Sequence, residues 1–445
     1  MKILFSNPPW WQDLSVDLQE PRIAPTIHRA GVRAGSRWPF TYQLPIPPDR
    51  FEFGAYLPYP FFMGYAATYA ARALGVPVIF RDSIALRESY GRYFRYLEQE
   101  RFDTIIIESA SPSWEHDRNL MAEIVKRLPH TRFIVTGPIT SLGEPILHAA
   151  PNILAAVRGE YEKGVVKAIQ GTGGIIDFDL LTLEEMNAAP FPYFDHLYAY
   201  RYWDSNPVGQ LAPHAQVLSS RGCPFKCIFC VWPATMTGND PDGSGKRFVR
   251  HYSADYLEAF LTELKEKYHF KSIYFDDDTF NLGDRHVEKV CAIMRKLQLP
   301  WSAMCRSDTS DMRLWQEMKE SGCFGVKIGF ESGNQEVVDR IVNKRLNLVE
   351  ARRVAQEIKR VGMTLHGTFT FGLPGETPEQ VQDTERYIDT LPLDSIQKSG
   401  CAEIEGAPLH ALSQQKSLAA YPAARLDDNY LRATDGQLKF EHLTH

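Results

Sequence analysis

Short apolar runs alternate with longer amphipathic stretches along the chain, and they do so in two blocks. In the first block, strand-like runs fall at Lys2–Phe5, Pro77–Arg81, Thr104–Glu108, Arg132–Thr136 and Ile153–Val157. Between them, Phe61–Leu74, Ile84–Glu100 and Trp114–Leu128 carry apolar residues at helical spacing. Strand and helix in alternation predict parallel strands with helical crossovers, so residues 1–170 are expected to form an N-terminal doubly wound, Rossmann-like α/β sheet. Such sheets bind ligands beyond the C-terminal ends of their strands.

The second block runs as strand Ala215–Ser220, helix Ala254–Tyr268, strand Ser272–Phe275, helix Arg285–Leu297, strand Trp301–Met304 and helix Met312–Glu320. It continues with strand Gly325–Phe330, helix Leu348–Val361, strand Thr364–Phe371, helix Pro378–Thr390 and strand Ser395–Cys401. Six repeats are too few for a closed eight-stranded barrel and predict a partial (β/α)6 barrel over 214–405, with its site at the strand C-termini. Residues 171–213, opening on Gly171-Thr172-Gly173-Gly174 and containing Pro190, Pro192 and Pro207, read as a linker. Residues 406–445 read as a tail covering the barrel.

Composition narrows the function. Hydrophobic residues are 44% of the 445, yet no run of about twenty apolar residues predicts a membrane span. Lys plus Arg is 49 against 55 for Asp plus Glu, a net charge of −6, so there is no basic excess for nucleic acid and small-molecule chemistry is the expectation. The apolar run in Met1-Lys2-Ile3-Leu4-Phe5-Ser6-Asn7-Pro8-Pro9 is too short for a signal peptide and reads as a first strand, which predicts a cytoplasmic protein. Seven cysteines, three of them within eight residues, do not make a disulfide framework.

The loops ending the first-block strands are Asn7-Pro8-Pro9-Trp10-Trp11, Glu108-Ser109-Ala110-Ser111-Pro112 and Thr136-Gly137-Pro138-Ile139-Thr140-Ser141. They suit a large flat ligand, and equally they are the residues that terminate strands. No G-x-G-x-x-G follows the first strand, which argues against an ordinary dinucleotide site.

The chemistry concentrates after the first barrel strand, in Arg221-Gly222-Cys223-Pro224-Phe225-Lys226-Cys227-Ile228-Phe229-Cys230. A C-x3-C-x2-C loop offers three thiolates that hold three irons of a [4Fe–4S] cluster and leave the fourth open to a reactant. Structural zinc needs a fourth ligand and usually two separated C-x2-C knuckles, and neither is present.

This loop, at the mouth of a β/α barrel and with an aromatic residue before its third cysteine, resembles that of the radical S-adenosylmethionine (radical SAM) superfamily, over residues 215–410. The resemblance implies that Cys223, Cys227 and Cys230 bind the cluster and that SAM chelates its open iron. One-electron reduction would then cleave SAM to a 5′-deoxyadenosyl radical. It further implies SAM-binding roles for Phe229, for Asp277 and Asp278 in Ile273-Tyr274-Phe275-Asp276-Asp277-Asp278, for Arg306, for Glu331 and Ser332 in Gly329-Phe330-Glu331-Ser332-Gly333, and for Gly372 in Phe371-Gly372-Leu373-Pro374-Gly375-Glu376-Thr377. The aspartates would hold the SAM ammonium or simply solvate a helix start, and Glu376-Thr377-Pro378 reads equally well as a helix cap.

A doubly wound domain before a radical SAM barrel resembles the cobalamin-binding subgroup of the superfamily. Ile3-Leu4-Phe5-Ser6-Asn7-Pro8-Pro9, Pro60-Phe61-Phe62-Met63-Gly64-Tyr65-Ala66-Ala67 and Val157-Arg158-Gly159-Glu160 carry that resemblance. The D-x-H-x-x-G signature for a cobalt-ligating histidine is missing; Asp284-Arg285-His286 is its nearest echo and lies in the other domain. The resemblance implies methyl transfer to an unactivated carbon of a small polar substrate, with an external one-electron donor of the flavodoxin type. The alternative is a cobalamin-free radical dehydratase or rearrangement enzyme on a sugar-like, aminoglycoside-type substrate, and a third is a catalytically silent binding protein.

The last barrel strand is polar, and Lys398, Glu403 and Glu405 are candidates to bind substrate or to face solvent at an edge. Cys401 is a candidate hydrogen-atom or proton donor, or else a buried inert thiol, and Cys305 stands in the same position beside Arg306. Cys291 and Cys323 read as core. The segment Thr237–Lys246 reads as a lid or as ordinary surface disorder.

Overall fold

Six parallel strands make the N-terminal sheet: β1 Ile3–Asn7, β2 Val78–Asp82, β3 Thr104–Glu108, β4 Arg132–Thr136, β5 Ile153–Val157 and β6 Gly174–Ile176. A computed structural model of the chain describes residues 1–13, 27–30, 40–43, 56–86, 88–195 and 199–414. These divide into two compact units, one holding Met1–Thr182 and Ala189–Trp203, the other Leu183–Ala188 and the chain from Asp204 onward.

In the first unit the strands lie in the order β6-β5-β4-β3-β1-β2. Ile3, Leu4, Phe5 and all of Ile105–Ile107 are buried, the near-continuous apolar run of a sheet covered on both faces. The order reverses between β1 and β3, so the crevice at their C-terminal ends is the ligand-binding position of this architecture. The helix expected over Ile84–Glu100 is instead two, Ser83–Leu86 and Tyr90–Glu100, because Ser89 is extended and its side chain caps the second by accepting from the Arg92 N–H. The helix Tyr161–Ile169 carries no strong sequence signal, nor does β6, three residues inside the segment read as a linker.

The second unit carries β7 His214–Val217, β8 Ser272–Phe275, β9 Trp301–Cys305, β10 Cys323–Glu331, β11 Thr364–Phe371 and β12 Ser395–Gly400, parallel and paired in chain order. This is an open α/β barrel, and with the first sheet it gives the two-part fold class expected. Helices Ala254–Glu266, Asp284–Leu297, Met312–Glu320, Leu348–Arg360 and Pro378–Asp389 connect the strands. Ser253, Asp311, Asn347 and Thr377 each accept a first-turn N–H, and Thr377 forms a capping box with Gln380, so the cap reading of that turn is realised.

Lys327 of β10 is buried, its Nζ paired with the Asp204 carboxylate and 4.8 Å from the Tyr274 ring of β8. Strand β12 alternates: Ser395, Gln397 and Ser399 are half-buried, while Ile396 and Lys398 are exposed. Among the described residues no helix is long and apolar enough to cross a membrane. The tail beyond residue 414, expected to cover the barrel, lies outside the described residues; before it, Pro408–Gln414 is a short helix.

Candidate active site

The cysteine loop leaves β7 through a two-residue antiparallel ribbon, Ser220–Arg221 paired with Arg250–His251, which closes the segment between them into one loop. Gly222 has a φ of +94°, and a Cβ there would lie 2.3 Å from the Phe248 carbonyl oxygen, so the turn into Cys223 requires glycine. Ser219 and Ser220 are fixed by the buried Asp277, which accepts from the Ser219 N–H at 3.1 Å, from the Ser219 hydroxyl at 3.0 Å and from the Ser220 hydroxyl. Burial raises the Asp277 carboxyl to about 7 against the pull of those donors. Asp277, expected to meet SAM, is thus turned inward and positions the strand end.

Cys223 is buried with its sulfur 3.5 Å from the Thr279 hydroxyl, and Cys227 and Cys230 are half-buried. All three thiols are pushed up, Cys223 to about 11 and Cys230 well above its ordinary value, by burial first and the Asp278 charge second. At Cys227 burial again leads, opposed by the cations Lys344 and Arg306. Among the described residues no three His, Cys, Asp or Glu side chains are arranged around a single ion. A cubane cluster with one open iron asks for three thiolates from a shared loop, one on each remaining iron, and this donor set fits it.

The strand ends add fixed charges. Arg306 follows β9 and lies over the Phe225 ring, its Cζ 3.6 Å from the centroid. Its fork is filled by Asp308, at 2.8 and 2.7 Å, and by the Lys344 carbonyl at 3.0 Å. Glu331 ends β10 at a register shift with φ +68°, a strained backbone for a non-glycine residue. That kink delivers its carboxylate to Lys344 Nζ at 2.9 Å and to the Thr370 hydroxyl at 2.9 Å. Asp278 is half-buried beside Cys223 and Cys230.

Other expected residues take different positions. The Ser332 hydroxyl is engaged by the Thr384 hydroxyl at 2.9 Å and the Asn334 N–H, so Ser332 fastens a helix to the barrel. Gly372 is exposed with φ +71° in the turn after β11. Lys398 faces outward and pairs with Glu385 on the flanking helix, the solvent-facing one of its two expected positions, and strand alternation sets Gln397 and Ser399 on the other face. Glu403 and Glu405 flank His410, its Nδ1 3.3 Å from Glu403 and its Nε2 2.6 Å from Glu405.

Cys401 is buried in one apolar cluster with Ile228, Val337, Val342, Leu373 and Leu409, against which Cys227 and Phe229 pack. Burial, then Glu376, Glu331 and Glu403, raise its thiol to about 12. Cys305 is buried, its thiol pushed well up by burial, and so are Cys291 and Cys323.

The segment Thr237–Lys246 is tied down by hydrogen bonds. Lys226 Nζ donates to the carbonyls of Gly243 and Gly245, and Asp240 accepts from Arg247 Nε at 2.7 Å, which clamps the segment to the cysteine loop. Lys344, Thr279 and Arg247 are the residues of this site that sequence pattern misses. Each lies in an irregular stretch, where neither helical nor strand periodicity marks a side chain as inward.

Residues 217–388 match the model of the radical SAM superfamily. This region is a radical SAM domain. The protein is accordingly an enzyme of the radical SAM class, and such a domain implies a [4Fe–4S] cluster and SAM. An uncharacterized methyltransferase of Pyrococcus horikoshii is 27% identical over 67% of this chain and 67% of its own length. The cytidylyl-2-hydroxyethylphosphonate methyltransferase of Streptomyces wedmorensis is 25% identical over 51% of this chain and only 43% of its own. The radical S-adenosylmethionine methyltransferase TsrM of Kitasatospora setae superposes with a TM-score of 0.61 at 16% identity, covering 80% of this chain and 73% of that one. The cobalamin-dependent S-adenosylmethionine radical enzyme OxsB gives 0.59 at 15% identity over 82% and 54%. At these identities the likeness is one of fold, and it reaches beyond the radical SAM domain.

Proposed function

We propose that this radical SAM enzyme is a cobalamin-dependent methyltransferase acting on a carbon of a small polar substrate. The observation that carries the reading is the three-thiol loop ringed by Asp278, Arg306 and the Glu331–Lys344 pair at the barrel strand ends. The names of the two curated relatives, both methyltransferases, support methyl transfer.

Cys223, Cys227 and Cys230 hold three irons and leave the fourth for SAM. Asp278 takes the SAM ammonium through a charge-assisted contact. The polar inner face of β12, with Gln397 Nε2 donating to Ser399 Oγ at 3.3 Å, meets the substrate. Bound together, the cluster supplies an electron and cobalamin supplies a methyl-carrying cobalt.

Cobalamin fits the edge of the N-terminal sheet. At its switch point the loops after β1 and β3 carry Pro8, Pro9, Ser109 and Ala110, all buried, and the Ser109 hydroxyl is satisfied by Ser113 at 3.1 Å, so the side chains set at these strand ends are small and neutral. Gly137, with φ +93°, brings the β4 loop onto the Ser109 backbone. His116, in the helix after β3, has Nε2 engaged by the Tyr90 hydroxyl at 2.8 Å and Nδ1 by Asp117 at 3.2 Å. The fit is to a cobalamin held by its periphery, without His116 on cobalt.

The test is anaerobic reconstitution with iron, sulfide and hydroxocobalamin, then reduction with SAM present. Retained cobalamin with S-adenosylhomocysteine released in proportion to it is the expected result. Cluster without retained cobalamin would overturn methyl transfer in favour of radical dehydration or rearrangement.

A further inference from the structure

Arg247 lies on the clamped segment that returns from the cysteine loop to the ribbon. Its side chain is wholly buried, as is that of its partner Asp240. Nε donates to Asp240 Oδ2 at 2.7 Å, and Nη1 donates to the Phe225 carbonyl, inside the cysteine loop, at 3.0 Å. Nη2 is buried and has no acceptor. A buried guanidinium nitrogen left without an acceptor keeps its desolvation cost uncompensated, the more so when charged, so it points to a group that completes the site. Two sides of the guanidinium are held by the clamp and by the cysteine loop. The charge also acts on Cys227 and Cys230, the two half-buried ligands.

We propose that Arg247 tunes the cluster, its unpartnered Nη2 donating a hydrogen bond to a cysteine sulfur of the bound [4Fe–4S] centre. The inference rests on the cluster-binding reading above. Hydrogen bonds to the sulfurs and nearby charge set the potential of such clusters. A cationic donor favours the form carrying the extra electron. Arg247 therefore makes the oxidised cluster easier to reduce by one electron from an external low-potential donor, which is itself oxidised by one electron.

The experiment uses the full chain, reconstituted anaerobically, with iron and sulfide determined before an EPR-monitored redox titration. Arg247→Gln is expected to keep its iron and to lower the ratio of reduced to oxidised cluster about tenfold at a fixed potential, which for a one-electron couple is about 59 mV. Arg247→Lys, which keeps the charge and loses the fork, is expected to fall between the two. Full iron with an unchanged midpoint in Arg247→Gln overturns the inference and leaves the cluster reading intact, whereas wild-type protein that takes up no iron overturns that reading instead. Should both variants fail to hold the cluster, wild-type protein labelled with 15N-arginine is examined by electron–nuclear double resonance in the reduced state. A 15N coupling to the cluster is the expected result, and its absence overturns the proposal.

Discussion

The strand ends of the two parallel sheets solve opposite problems. At the N-terminal sheet the charged side chains are consumed within the unit: Asp82 is buried, accepts from Asn7 at 2.9 Å, Tyr202 at 3.0 Å and two backbone N–H groups, and burial still raises its carboxyl to about 6. What that edge offers a ligand is backbone and small neutral groups. At the barrel, the charges of Arg306, Glu331, Lys344, Asp278 and Arg247 act on the three thiols. An edge of neutral groups suits a large flat molecule gripped at its rim, and an edge of fixed charges suits a small, charged, redox-active one.

The largest effect expected on this contrast is at Cys227. Cys227→Ala should drop bound iron from about four per chain to a small residue and abolish 5′-deoxyadenosine formation, while leaving cobalamin retention by the N-terminal sheet intact. Iron and corrinoid analysis on the same sample reads both.

The barrel's charges are themselves of two kinds, and Lys327 separates them. Lys327→Met leaves Asp204 buried without its cation and should cost about 3–5 kcal/mol in urea denaturation, and Asp204→Leu in the same chain should recover most of it. Neither change should reduce iron content if that pair is structural.

Next in size is a pH dependence. The folded Asp277 carboxyl titrates at about 7, above the unfolded value near 4. Between about pH 4 and pH 7 the folded state thus holds a proton at Asp277 that the unfolded state releases, so this group's contribution to stability falls as pH rises through that window, opposite in sign to that of His214, His251 and His366, which burial lowers to about 4. Asp277→Asn should remove the falling contribution and make the slope more positive, and an unchanged slope would remove Asp277 as a source.

On the N-terminal side, Gly137→Ala would put a Cβ 2.4 Å from the Ser109 carbonyl oxygen at a left-handed φ. The expected cost is about 1–3 kcal/mol, with weaker cobalamin retention and unchanged iron content. The smallest effect belongs to Lys398, an exposed partner of Glu385: Lys398→Ala should shift the urea midpoint by less than about 0.5 kcal/mol and leave activity unchanged.

The contrast between Lys398 and Gln397 also marks how far the sequence carries. Period-2 alternation located β12, but a strand polar on both faces does not say which face is inside, so Lys398 stood open between binding substrate and facing solvent. The cysteine triad was legible because its spacing is itself the chemistry, and most barrel elements were legible because apolar periodicity sets them. Asp277 and Ser332 stood at the expected strand ends, yet their side chains are taken up by Ser219, Ser220 and Thr384, partners between 52 and 58 residues away in the chain. Lys344 and Arg247 owe their places to irregular backbone, which leaves no periodic trace. The strand β6 is only three residues long, below what a hydrophobic pattern can mark.

The most direct test of the account is to reconstitute the full chain anaerobically, add SAM and a one-electron reductant, and quantify 5′-deoxyadenosine and methionine against bound iron. About four irons per chain with both products formed, and neither formed by Cys227→Ala, is the predicted result. A loaded cluster that leaves SAM intact, or a chain that takes up no iron, would contradict it.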